Sequence, residues 1–121
     1  MQAYQSYKEL IIRKPTPCRM PVFDLNGKWL TDIGFTIGEL VYADFRNGCL
    51  TLTTDQAARS NIGILVVKGK RVRGCVRPQI LLDGFMLKRL GYTSFDRVGL
   101  TLEYGKIQIQ KIVQYTTADC S

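Results

Sequence analysis

An internal repeat constrains this chain more than any other feature of it. Shifted by 57 positions, residues 21–54 and 78–111 align without a gap. Identical pairs are Pro21/Pro78, Leu25/Leu82, Gly27/Gly84, Leu30/Leu87, Gly34/Gly91, Thr36/Thr93, Val41/Val98 and Gly48/Gly105. Phe35/Tyr92, Leu50/Ile107 and Leu52/Ile109 are conservative, and Cys18 matches Cys75 on the same offset. Glycines and apolar residues falling together in one register point to a duplicated structural unit.

Each unit carries local signals. Asn26 and Asp83 are positioned to cap short helices over about 27–33 and 84–90, their side-chain oxygens accepting first-turn amide hydrogens. Leu30 with Ile33, and Leu87 with Leu90, share a helix face. Gly34 and Gly91 suit the left-handed residue that ends a helix. Val41, Ala43 and Phe45, then Val98, Leu100 and Leu102, alternate with more polar neighbours, which is the period of a half-buried strand. Asn47-Gly48 and Tyr104-Gly105 turn the chain into return strands Cys49–Thr53 and Lys106–Lys111. Further strand-like runs cover 8–13 and 62–67.

A unit of about 45 residues cannot bury its own sheet face, so the two are expected to close on each other. The expected architecture is mainly β with short helices, barrel-like, with a pseudo-twofold axis inside one intertwined domain spanning 1–121. Its parts are repeat 1 at about 8–54, a linker at 55–61, repeat 2 at about 62–111 and a C-terminal tail at 112–121. Both a monomeric pseudo-dimer and a homodimer satisfy this pattern.

The block Leu25-Asn26-Gly27-Lys28-Trp29-Leu30, Ile33-Gly34-Phe35, Gly38 and Gly48-Cys49-Leu50-Thr51-Leu52-Thr53 resembles the SymE-like toxins of type I toxin–antitoxin systems. More broadly, the leucine and glycine spacing with its valine strand resembles the AbrB/SpoVT swapped-hairpin barrel. The second copy departs from it at Phe85, Met86 and Phe95, where the first has Lys28, Trp29 and Gly38. The resemblance implies a swapped-hairpin β-barrel, expected here to be formed by the two internal repeats although family members usually carry one unit and dimerise, a nucleic-acid-binding role and, for the SymE branch, action on RNA as an endoribonuclease toxin.

Charge supports a polyanionic partner from the residues themselves. Seventeen Lys+Arg stand against ten Asp+Glu, a net +7. Lys68, Lys70, Arg71, Arg73 and Arg77 place five cations within 68–77 with no acid between them. Arg13, Lys14 and Arg19 form the corresponding stretch of the first copy. Both are expected to be basic loops on one face, contacting phosphates, with Gly69 and Gly74 letting the backbone approach a ligand. Neutralising about five phosphates of duplex DNA would give a slope of about −4 to −5 in log K against log salt. RNA stands ahead of DNA through the resemblance. Two other readings stay open: an AbrB-like DNA-binding regulator, and a protein-interaction module whose basic face meets an acidic partner or antitoxin.

Catalysis has few candidates. There is no histidine, which removes the commonest general base and the commonest metal ligand. Asp24, Asp32, Asp44, Asp83 and Asp96 are scattered with no spacing that pairs them, so no residue is assigned as catalytic. No cofactor or metal motif is present. Cys18, Cys49, Cys75 and Cys120 have no metal-clip spacing and read as free thiols, with Cys18 and Cys75 expected in the core. Trp29 and Tyr92 are expected in the core, while Tyr42 and Tyr104 remain candidates for base stacking. No apolar run approaches the ~20 residues of a membrane span, and the first residues lack a signal-peptide block, so a cytoplasmic location is expected.

Overall fold

The computed structural model describes residues 5–12, 23–56, 60–92 and 96–112. In chain order the elements are β1 (Gln5–Ile11), β2 (Phe23–Asn26), α1 (Lys28–Asp32), β3 (Leu40–Arg46), β4 (Cys49–Thr53), β5 (Gly63–Val66), β6 (Lys68–Val72), β7 (Cys75–Leu82), α2 (Gly84–Leu90), β8 (Arg97–Glu103) and β9 (Lys106–Lys111). The chain is mainly β with two short helices, as its alternating apolar residues require.

Among the described residues nine strands form two antiparallel sheets. The larger has the order β1-β8-β9-β4-β3-β5, and the smaller β2-β7-β6. Period-two alternation sends Val41, Ala43, Leu50, Leu52, Leu100 and Ile107 to one face of the large sheet, where they are fully buried. Opposite lie Phe23, Leu25, Ile80 and Leu82 from the small sheet, with Leu30 and Leu87 from the helices, in one contiguous core. Each such aliphatic side chain contributes about 1.5–3 kcal/mol by leaving water.

The sheets do not close into a barrel, which corrects the architecture expected from the sequence. The large sheet ends at β1 and β5. At Val67 the chain leaves it: Val67 N–H donates to Glu39 O at 3.0 Å, and Gly38 N–H donates to Val67 O at 2.8 Å. The next strand then joins the small sheet instead of continuing the ladder. Alternation specifies which side of each strand is buried; closure needs a further pairing between edges, and the described residues make none.

The second helix matches its reading. Asp83 is its N-cap, accepting from Met86 N at 3.0 Å, and Gly91 at φ 82° ends it in the left-handed region. The first differs. Asn26 lies in β2, its amide donating to Asp24 at 3.1 Å, so Gly27 takes the N-cap place without a side-chain cap. Strand pairing of Asn26 with Gln79 keeps its side chain away from the helix start. Beyond β5, the Asn61 amide substitutes for a strand neighbour: its Oδ1 accepts from Phe45 N at 2.8 Å and its Nδ2 donates to Phe45 O at 2.9 Å.

Candidate nucleic-acid interface

The basic segment 68–77 was expected to be a loop; it is the distal part of a β-hairpin. β6 and β7 pair with Lys68 opposite Gln79, Lys70 opposite Arg77, Arg71 opposite Val76 and Val72 opposite Cys75. Between them Arg73 (φ 50°) and Gly74 (φ 83°) both adopt positive φ, the combination of a type I′ turn, whose twist matches the strands it joins. A cationic segment shows no apolar period, so its strand character is invisible to hydropathy.

Antiparallel pairing sorts the cations. Lys68, Lys70 and Arg77 share the outward face with Gln79 and Leu81, next to Asp24 and Asn26 of β2. Arg71 and Val76 lie on the other face, the side on which Ile80 and Leu82 enter the core nearer the base. Lys68, Arg71, Arg73 and Arg77 are exposed, and Lys70 is half-buried. Val76 is 54% exposed, so the tip extends past the core. The hairpin therefore presents positive charge on both faces and at its turn.

One of the five cations is neutralised locally. Lys70 Nζ lies 3.1 Å from Asp24 Oδ2. Lys68, Arg71, Arg73 and Arg77 make no ion pair among the described residues. Asp24 also accepts from Gln79 Nε2 at 2.9 Å and Asn26 Nδ2 at 3.1 Å. Partial burial pushes the Asp24 carboxyl up. Hydrogen bonds from Gln79, Asn26 and Lys70, with the Lys70 charge, outweigh that and hold it below the usual aspartate value.

Other expectations resolve as follows. Gly74 serves the turn, with open space where a side chain would start. Gly69 is a packing glycine: a Cβ there would sit 2.9 Å from Val76 Cγ1 and 3.5 Å from Ile37 Cδ1. It makes room for neighbours, not for a ligand. Cys75 is exposed beside the turn instead of buried, because the hairpin carries it beyond the core. Cys18, Arg13, Lys14 and Arg19 lie outside the described residues, as does Cys120.

Tyr92 is buried as expected. Burial, with the nearby Cys49 and Asp96 charges, pushes its phenol up to about 12. Trp29 is half-buried; its Nε1 donates to Asn26 O at 3.0 Å, and Lys8 Nζ stands 4.8 Å from its ring centroid. Tyr104 is 71% exposed, but its ring covers Gly34, far in sequence from the hairpin.

Among the described residues several carboxylates have structural partners. Asp44 accepts from Arg46 Nε at 2.9 Å and from Asn61 N at 3.2 Å, Asp96 pairs with Lys111 at 3.5 Å, and Asp83 caps α2. Among the described residues no three His, Cys, Asp or Glu side chains group as metal ligands. An open cleft of about 230 Å³ lined by Gly38, Glu39, Leu40, Tyr42, Thr54 and Gln56 holds a single carboxylate. Among the described residues no helix is long and apolar enough to cross a membrane.

No protein-family model matches the chain, and no solved structure matches it. Curated proteins do. Endoribonuclease SymE of Salmonella paratyphi C (strain RKS4594) is 46% identical over 44 residues, 36% of this chain and 40% of the relative. Endoribonuclease SymE of Salmonella choleraesuis (strain SC-B67) is 45% identical over 42 residues, 35% of this chain and 38% of the relative. Part of this chain is SymE-like. The matched stretch spans about two fifths of the length of these relatives, so the kinship belongs to a segment and not to the whole protein.

Proposed function

We propose that this chain is a SymE-like, toxin-type protein that binds RNA through the β6–β7 hairpin. The observation that carries the reading is the hairpin itself: Lys68, Arg71, Arg73 and Arg77 are exposed to solvent and make no ion pair among the described residues. Such cations release condensed counterions when they meet phosphate, irrespective of base sequence. The relatives' name, endoribonuclease, favours RNA as the polyanion. Arg13, Lys14 and Arg19, the corresponding cations of the first copy, are included in the proposed phosphate contact. Cleavage of the bound RNA is part of the proposal on the relatives' name alone, and no side chain is assigned to it.

The same reading takes the chain as two tandem AbrB-like units fused into a pseudo-dimer. Support comes from the register. Thr51 pairs with Gln108, and Asp24 with Leu81. Both pairs join positions 57 apart, the repeat offset, which is the pairing that a twofold axis between the two units would give. Around that axis β4 answers β9, β3 answers β8, and β5 answers β1. A chain of this kind fulfils the dimer within itself and is expected to run as a 13.7 kDa monomer.

A two-stranded ribbon with cations on both faces also fits the major groove of duplex DNA, which favours a DNA-binding regulator as the second reading. Filter binding with single-stranded RNA across a salt series tests the first. The four unpaired hairpin cations are expected to contribute about −3 to the slope of log K against log salt (about 0.7 per phosphate on single strands). Replacing Lys68, Arg71, Arg73 and Arg77 together by Gln should remove that contribution. A flat response in the unaltered protein overturns the proposal, and tenfold preference for duplex DNA in competition favours the second reading. Labelled RNA left intact with and without EDTA removes the cleavage step.

A further inference from the structure

Asp24 stands out on the outward face of the small sheet, and the binding role proposed above does not account for it. Three donors converge on its carboxylate: Gln79 Nε2 and Asn26 Nδ2 on Oδ1, and Lys70 Nζ on Oδ2. The first two come from side chains level with each other across β2 and β7, so they fix the carboxylate in place. Lys70 comes from further away. In register it is level with Arg77, whereas Asp24 is level with Leu81, four residues nearer the base of β7. To reach Asp24, the lysine side chain lies back along the sheet, away from the turn. Its charge is thereby withdrawn from the tip, where Arg77 remains. Directly opposed like charges repel, so this retreat also relieves the Lys70–Arg77 pair.

We propose that Asp24 is the specificity-determining anion of this surface: it holds Lys70 back, so that the nucleic-acid backbone engages the unpaired cations Lys68, Arg71, Arg73 and Arg77 and not Lys70. The inference rests on the binding role proposed above and says which cations of the hairpin perform it. At the position of the second half that matches Asp24 stands Leu81, so the anion is a property of one unit and not of the repeat.

A double-mutant cycle on the full chain tests it, with a single-stranded oligouridylate as probe and salt as the variable. Lys70→Ala is expected to change Kd less than twofold, because Asp24 already neutralises that lysine. Asp24→Asn is expected to tighten binding about fivefold at about 0.1 M salt and to steepen the slope by about 0.7, the contribution of one released cation on a single strand. Adding Lys70→Ala to Asp24→Asn should cancel the gain. Unchanged or weakened binding by a folded Asp24→Asn protein overturns the inference, as does a Lys70→Ala loss of equal size in both backgrounds. Should Asp24→Asn fail to fold, the comparison of Lys70→Ala with Arg73→Ala in the unaltered protein decides. Losses of equal size overturn the proposal; under twofold against about fivefold supports it. Flat salt dependence in the unaltered protein is a different result, since it removes the binding role itself whatever Asp24 does.

Discussion

Arg73 occupies the turn of the cationic hairpin at φ 50°, a left-handed conformation. A side chain there costs about 1–2 kcal/mol relative to glycine. Replacing it with glycine relieves that strain, while the looser unfolded chain takes back about 0.5–1 kcal/mol. Arg73→Gly should therefore stabilise the fold by about 0.5 kcal/mol, which in a domain of this size is about 2 °C in Tm. The same change removes one of four free cations. The hairpin's share of the salt slope on single-stranded RNA should ease from about −2.8 to about −2.1. Through that share, raising salt from about 50 to about 200 mM would weaken binding roughly 20-fold in the variant and roughly 50-fold in the parent. Thermal melting and filter binding on the same preparations read both quantities. The reasoning requires opposite signs: a more stable protein that binds RNA less salt-dependently. A lower Tm would refute the turn argument, and an unchanged slope would refute the placement of Arg73 against phosphate.

Three further outcomes follow from the packing and the electrostatics. Leu52 is fully buried between Ala43 and Ile107 at the centre of the large sheet, and Leu52→Ala should cost about 2–5 kcal/mol in urea unfolding. Asp83→Ala removes the side-chain cap of α2 and should cost about 1 kcal/mol in the same assay, with no change in the salt slope. Asp24 has a folded pKa below its unfolded value, so its contribution to stability is fully present above the unfolded pKa and fades as pH falls through the folded one. Acidification from about pH 5 to about pH 2.5 should then lower Tm more in the unaltered protein than in Asp24→Asn; equal losses would refute the lowered carboxyl.

Much of the local structure was legible because its causes lie within a few residues. Asp83 and Gly91 bracket α2 through contacts with its own first and last turns. Asn47-Gly48 turns β3 into β4, with both residues at positive φ. Leu50, Leu52, Ile107 and Ile109 are buried because alternation puts them on one face. The hairpin 68–77 was hidden because lysines and arginines on both faces carry no apolar period. Asn26 was misread as a cap because it belongs to β2, whose extended backbone puts its amide on the same face as Asp24. Gly69 looked like a site for ligand approach, but its missing side chain accommodates Val76, which reaches it through the turn.

The sequence by itself determined the mainly-β character, the second helix and its cap, the burial side of the central strands, and a positive stretch free of acids. These depend on side-chain size, charge and backbone freedom acting between near neighbours. Only the tertiary structure decided that the sheets stay open, that the basic stretch is a two-faced ribbon, and that Lys70 lies against Asp24, 46 residues away in the chain. Such choices rest on which strands meet and in what register. That depends on competition between edges and partners distant in sequence, for which no short run of residues carries the outcome.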